Sequence, residues 1–194
     1  MIHDGYWQDD LVALANRITY WQRRINKLIM QGFSYQQAEL AKAEHQLTQS
    51  IFYSACIVRK IIEEENEAIQ GIAKYVEMFP NDNPTDHHDH YRLYCQKLKV
   101  YQMPLKRDAA NFFHDYCHED YEFSKAKETQ HDVKSICNWI IHSYVWYLGS
   151  NVEEDQYIRG FIISSDYDKT KYSCYVPIDS WCLMLKYAAK NVFL

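Results

Sequence analysis

Glycine and proline are scarce in this chain of 194 residues, which holds five of the first and four of the second. That shortage, beside 47% hydrophobic residues, points to a compact, loop-poor and mostly helical protein. It also argues against loops that wrap phosphates. No P-loop, Gly-rich dinucleotide turn or Gly-x-Ser-x-Gly elbow is present. No run approaches the roughly 18 apolar residues of a membrane span. Met1-Ile2-His3-Asp4-Gly5 lacks the basic start and apolar stretch of a secretory signal, so a cytoplasmic protein is expected. Tight cysteine spacing is missing as well. Cys56, Cys95, Cys117, Cys137, Cys174 and Cys182 are scattered, mostly among apolar neighbours, and read as reduced thiols. A net charge of −5 argues against broad non-specific nucleic-acid binding and leaves room for a local basic patch. Aromatic residues, by contrast, are abundant at 15%. Seventeen are Tyr, whose apolar ring and polar tip suit partly wet interfaces.

Apolar spacing predicts a first helix from about Tyr6 to Met30, with Leu11, Leu14, Ala15, Ile18, Trp21, Ile25 and Leu28 on one side. Arg17, Arg23, Arg24 and Lys27 gather on another side, either as a solvated face or as a contact for RNA or an acidic partner. Gly32 ends that helix. Ser34-Tyr35-Gln36-Gln37 then fits a capping box opening a second helix, from about Tyr35 to Gly71. Its stripe of Leu47, Ile51, Ala55, Val58, Ile61 and Ile62 pairs with the first helix as an antiparallel hairpin. Residues 79–86, with two prolines, are the clearest breaker, and short helices are expected between 87 and 128. A further helix is expected from about His131 to Leu148, stopped by Gly149. Tyr157 to Ser164 and Tyr172 to Ile178 read as a β-hairpin, and Asp179 or Ser180 caps a last helix to about Lys190. The expected fold is mainly α: an antiparallel helical bundle over residues 1–150. A small C-terminal β-hairpin and closing helix, residues 151–194, pack on it.

The 131–148 helix has two faces. Val133, Ile136, Cys137, Ile140, Ile141, Tyr144, Val145 and Leu148 form a core arc. Opposite them lie Lys134, Asn138 and His142 at successive i, i+4 positions, flanked by Trp139 and Trp146. A purely solvated face rarely carries two tryptophans, so this one is expected to line a pocket or a partner surface. The plainer alternative is that Asn138 and His142 close hydrogen bonds across a helix interface. Arg59, at the edge of the second helix's stripe, is either half of an Arg59–Glu63 pair or a cation available to a ligand. Lys60 has Glu64 at the same spacing. In the middle of the chain, Asp86-His87-His88-Asp89-His90 and the i, i+4 pair His114 and His118 are rich in metal-binding types. The zinc-protease motif is broken by Asp115, so solvated surface is the expectation, with no metal or cofactor.

Long antiparallel helices followed by Asn-x3-His on a late helix resemble the HEPN group, small helical proteins of which many are ribonucleases in toxin–antitoxin and phage-defence systems. The HEPN motif is Arg-x4-6-His, extended by x-Tyr in toxins paired with nucleotidyltransferase antitoxins. The comparable positions here are Cys137, Asn138, His142 and Tyr144; the His, the polar second residue and the Tyr match, and Cys137 replaces the Arg. The resemblance spans roughly residues 6 to 150 and leaves the C-terminal hairpin outside. It implies metal-independent RNA cleavage with His142 as base or acid, Asn138 orienting the imidazole or bonding phosphate, and Tyr144 beside them. The missing cation would come from Lys134 or Arg59. It also implies a homodimer, or a protein partner, meeting on the Trp139/Trp146 face, with RNA as substrate and no membrane. The rival expectation is a non-catalytic interaction or assembly protein, an adaptor or antitoxin, using that same face.

Overall fold

Two long amphipathic helices lead the chain, α1 (Gly5–Met30) and α2 (Ala38–Met78). The computed structural model describes residues 5–34, 37–78, 93, 96–106, 116–150 and 157–191. Gly32, at φ 81, closes α1: its N–H donates to Ile29 O at 2.9 Å and that of Phe33 to Leu28 O at 3.1 Å. That left-handed turn is open to glycine without strain. Gln37 Oε1 accepts from the Ser34 N–H at 2.9 Å, the Gln half of the expected capping box. The apolar stripes meet as expected, with Leu11, Ile18, Ile25, Leu47, Ile51 and Val58 fully buried. The basic side of α1 is partly tied to α2, because Arg17 bonds Gln46 and Arg24 pairs with Glu39 at 2.7 Å.

The expected helical bundle is not what forms. Beyond α2 the described chain builds a five-stranded antiparallel sheet, giving an α+β fold. Its strands are β1 (Lys97–Pro104), β2 (Lys127–Asp132), β3 (Ser143–Gly149), β4 (Gly160–Ser165) and β5 (Tyr172–Pro177), in the order β2-β1-β5-β4-β3. The predicted hairpin is real as β4 and β5, yet it lies inside the sheet, where β1 pairs with β5 and β3 with β4. Short helices were expected across 87–128; the described residues there form β1, the start of β2, and 3-10 turns at His118–Asp120 and Phe123–Lys125. The expected 131–148 helix is cut short as well. Asp132 caps α3 (Val133–Ile141) by accepting from Ser135 N at 2.8 Å, and the chain then runs on as β3. Tyr144-Val145-Trp146-Tyr147 is β-branched and aromatic, and pairing with the buried strand β4 overrides its helical spacing.

Helix α4 (Ile178–Asn191) starts one residue before the expected caps and packs on α1, where Cys182 Sγ lies 3.5 Å from Ala15 O. The helices cover one sheet face, whose inward residues include Val100, Phe161, Ile163, Cys174 and Val176. The opposite face holds a smaller cluster of Met103, Tyr116, Tyr121, Val145, Ile162 and Tyr175. No helix among the described residues is long and apolar enough to cross a membrane. The five described cysteines, Cys56, Cys117, Cys137, Cys174 and Cys182, are free thiols; Cys95 lies outside the described residues.

Candidate functional site

His142 ends α3. Its backbone leaves helical geometry at φ −112 and ψ 28, and its N–H donates to Asn138 O at 2.9 Å. There the imidazole meets α2: Arg59 Nη1 lies 3.3 Å from His142 Nε2. A guanidinium only donates, so the contact requires Nε2 to accept and the ring proton to sit on Nδ1. Arg59 is aimed from its other side, where Nε donates to Glu63 Oε1 at 2.9 Å. The Arg59–Glu63 pair therefore forms, and at the other edge of the fork Nη1 faces the imidazole. The Arg59 side chain is 32% exposed and His142 is exposed, so both groups are open to solvent.

The other sequence candidates are placed differently. Asn138 is half-buried, and its Oδ1 is enclosed with no hydrogen-bond partner. It sits one turn before His142, oriented by the same backbone. Lys134 lies two turns back, about 12 Å along the helix axis, and makes no ion pair among the described residues. Tyr144 has left the helix for β3, where Lys169 Nζ sits 3.5 Å from its ring centroid. Cys137, at the motif's Arg position, is fully buried in the main core, and burial pushes its thiol far above the ordinary range. Arg59 approaches the imidazole from the neighbouring helix α2. Cys56 lies close enough to Arg59 that the cation offsets part of the upward push of burial on its thiol.

The tryptophan face does not survive the break of the helix. Trp139 lies against His131 and Tyr172, with ring centroids at 4.8 and 6.3 Å. Trp146 is on β3 and stacks on Phe161 at 5.3 Å, toward the core. Residues 86–90 and His114 lie outside the described residues. His118 stacks on Tyr147 at 3.6 Å, and burial lowers its pKa. Among the described residues no group of His, Cys, Asp and Glu is disposed to hold a metal.

A second feature escaped the sequence reading. At the end of the sheet formed by the start of β2, the end of β1 and the start of β5, a groove of about 570 Å³ is lined by Gln102, Ser124, Lys125, Lys127, Lys171 and Tyr172. Gln102 stands opposite both Lys127 and Cys174, and Pro104 opposite Tyr172, so Gln102, Lys127 and Tyr172 share the helix-side face. Lys125 and Lys127, like Lys169 and Lys171, are spaced i, i+2. That spacing was the available signal, and for Lys125 and Lys127 a helical reading of 87–128 hides it.

No protein-family model matches the chain, and neither a curated protein nor a solved structure matches it.

Proposed function

We propose that the chain cleaves RNA without a metal at the Arg59–His142 site, performing the chemistry of the HEPN motif on an α+β fold. A bacterial defence or toxin–antitoxin role in the cytoplasm is part of this proposal. The observation that carries it is the 3.3 Å approach of a guanidinium to an imidazole from residues 83 positions apart. In the reaction, His142 Nε2 takes the proton of the ribose 2′-hydroxyl as the 2′-oxygen bonds to phosphorus. The bond from phosphorus to the 5′-oxygen breaks, and that oxygen takes a proton from water. Arg59 Nη1 moves from the imidazole to a non-bridging phosphate oxygen, where negative charge grows. The products are a 2′,3′-cyclic phosphate and a 5′-hydroxyl.

The test is cleavage of a 5′-labelled single-stranded RNA in the presence of EDTA, with product ends identified. Wild type should cut and leave cyclic phosphate. His142→Ala should slow the reaction by about 10²–10⁴ and Arg59→Ala by about 10²–10³, both with melting temperatures near wild type. Cleavage by His142→Ala at the wild-type rate, or no cleavage by wild type, overturns the proposal. The second outcome leaves an interaction or assembly role.

A further inference from the structure

The antiparallel order brings five chain ends to one edge of the sheet: the start of β2, the end of β1, the start of β5, the end of β4 and the start of β3. His142 immediately precedes β3, so the candidate site and the lysine groove share that edge. With strands about 4.8 Å apart, β5 lies roughly 10 Å from β3, and β2 roughly 19 Å. The span between groove and site is a few nucleotides of single strand.

The groove's chemistry suits a phosphate backbone. Lys127 and Lys171 are exposed and make no ion pair among the described residues; Lys171 Nζ rests 4.1 Å from the Tyr167 ring centroid. Lys125 is offset by Glu122 at 2.5 Å, and Lys169, further along the same edge, by Asp166 at 2.5 Å. Gln102 and Ser124 add neutral hydrogen-bonding groups. The half-buried ring of Tyr172 offers a face for a base, its hydroxyl pKa pushed up to about 12 by burial and then by the nearby Asp168 carboxylate. Nearer His142 along that end of the sheet, Lys169 Nζ lies over the Tyr144 ring.

We infer that the groove of Lys127, Lys171, Gln102 and Tyr172 binds the backbone of single-stranded RNA and leads it along the sheet edge to Arg59 and His142. This deepens the proposed function and rests on it. A single strand fits because its bases can splay onto tyrosine rings while its phosphates track lysines. A duplex keeps its bases stacked away from Tyr172.

The experiment uses full-length His142→Ala, which should bind without cutting, and a fluorescein-labelled single-stranded RNA read by anisotropy over a salt series. Adding Lys127→Ala and Lys171→Ala should weaken binding roughly five- to tenfold. It should also flatten the log K against log salt slope by about 1.4, at roughly 0.7 per phosphate lost. Removing the same charge elsewhere, with Lys74→Ala and Lys186→Ala, should leave affinity and slope unchanged. Equal binding by the groove variant and this control overturns the inference while leaving cleavage at Arg59 and His142 intact. Tighter binding of duplex than of single strand also overturns it. Should wild type cut nothing while the groove variant still loses RNA, the cleavage proposal falls and the groove stands.

Discussion

The two faces of the sheet are built by different means. On the helix side, Leu, Ile, Val and Trp181 fill a continuous apolar core shared by α1, α2, α3, α4 and the sheet. On the other side a small cluster is half tyrosine and is covered by the segment around Tyr116 and Tyr121. Burial stabilises roughly in proportion to apolar area, so the helix side should dominate folding energy. Tyrosines bury rings but keep hydroxyls that need partners, as Tyr121 does by donating to Lys169 O at 2.8 Å. Apolar stabilisation should therefore be concentrated on the helix side, while the other side leans on tyrosine hydroxyls such as that of Tyr121.

The severest test of that contrast is Trp181→Ala. Trp181 is fully buried, meets Phe161 edge-on at 6.3 Å, and donates through Nε1 to Ser54 Oγ at 2.9 Å. Removing it should cost about 3–5 kcal/mol in a urea melt. A cost below 1 kcal/mol would mean the helix side is not the dominant core. Gly160→Ala probes the seam between the faces. A Cβ there would meet the Tyr175 ring and Val176 O, both at 2.5 Å, and the backbone oxygen cannot swing away. A loss of about 1–3 kcal/mol is expected from the displaced β4–β5 pairing.

A smaller change is expected on the tyrosine side. Tyr121→Phe removes one hydrogen bond at constant ring packing and should cost about 0.5–1.5 kcal/mol. The same residue makes the face sensitive to alkali. Burial raises the Tyr121 hydroxyl pKa to about 12, above its unfolded value near 10. Its contribution is thus full below pH 10 and is lost as pH rises toward 12. Melting temperatures followed over that window should fall less steeply for Tyr121→Phe than for wild type; parallel curves would assign the alkaline loss elsewhere. The least effect belongs to the surface. Glu39→Ala, breaking the partly exposed Arg24–Glu39 pair, should change stability by no more than about 1 kcal/mol, and less in high salt.

Much of the helical layer was legible because its signal is local. The stripes of α1 and α2, Gly32 as a stop, Gln37 as half a cap and the hairpin of β4 and β5 all follow from short-range spacing. Strand β2 was not legible, since Lys-Glu-Thr-Gln-His-Asp has no apolar alternation and pairs with β1 through its backbone. Strand β3 is hidden because Val145 and Leu148, three residues apart, continue the helical stripe of α3, whereas in the strand they fall on opposite faces of the sheet. With that helix went the shared Trp139/Trp146 face.

At the candidate site the division is the same. Residue types and helical spacing alone marked Arg59, Asn138 and His142 as unusual, because polar groups beside apolar stripes stand out within a few residues. Only the tertiary structure decided that Arg59 and His142 meet, that Cys137 turns into the core, and that Tyr144 joins Lys169. Those outcomes depend on where α3 ends against α2 and on which strand pairs with β3. Such long-range pairings are selected by burial and backbone hydrogen bonding between distant segments, and local periodicity carries no record of them.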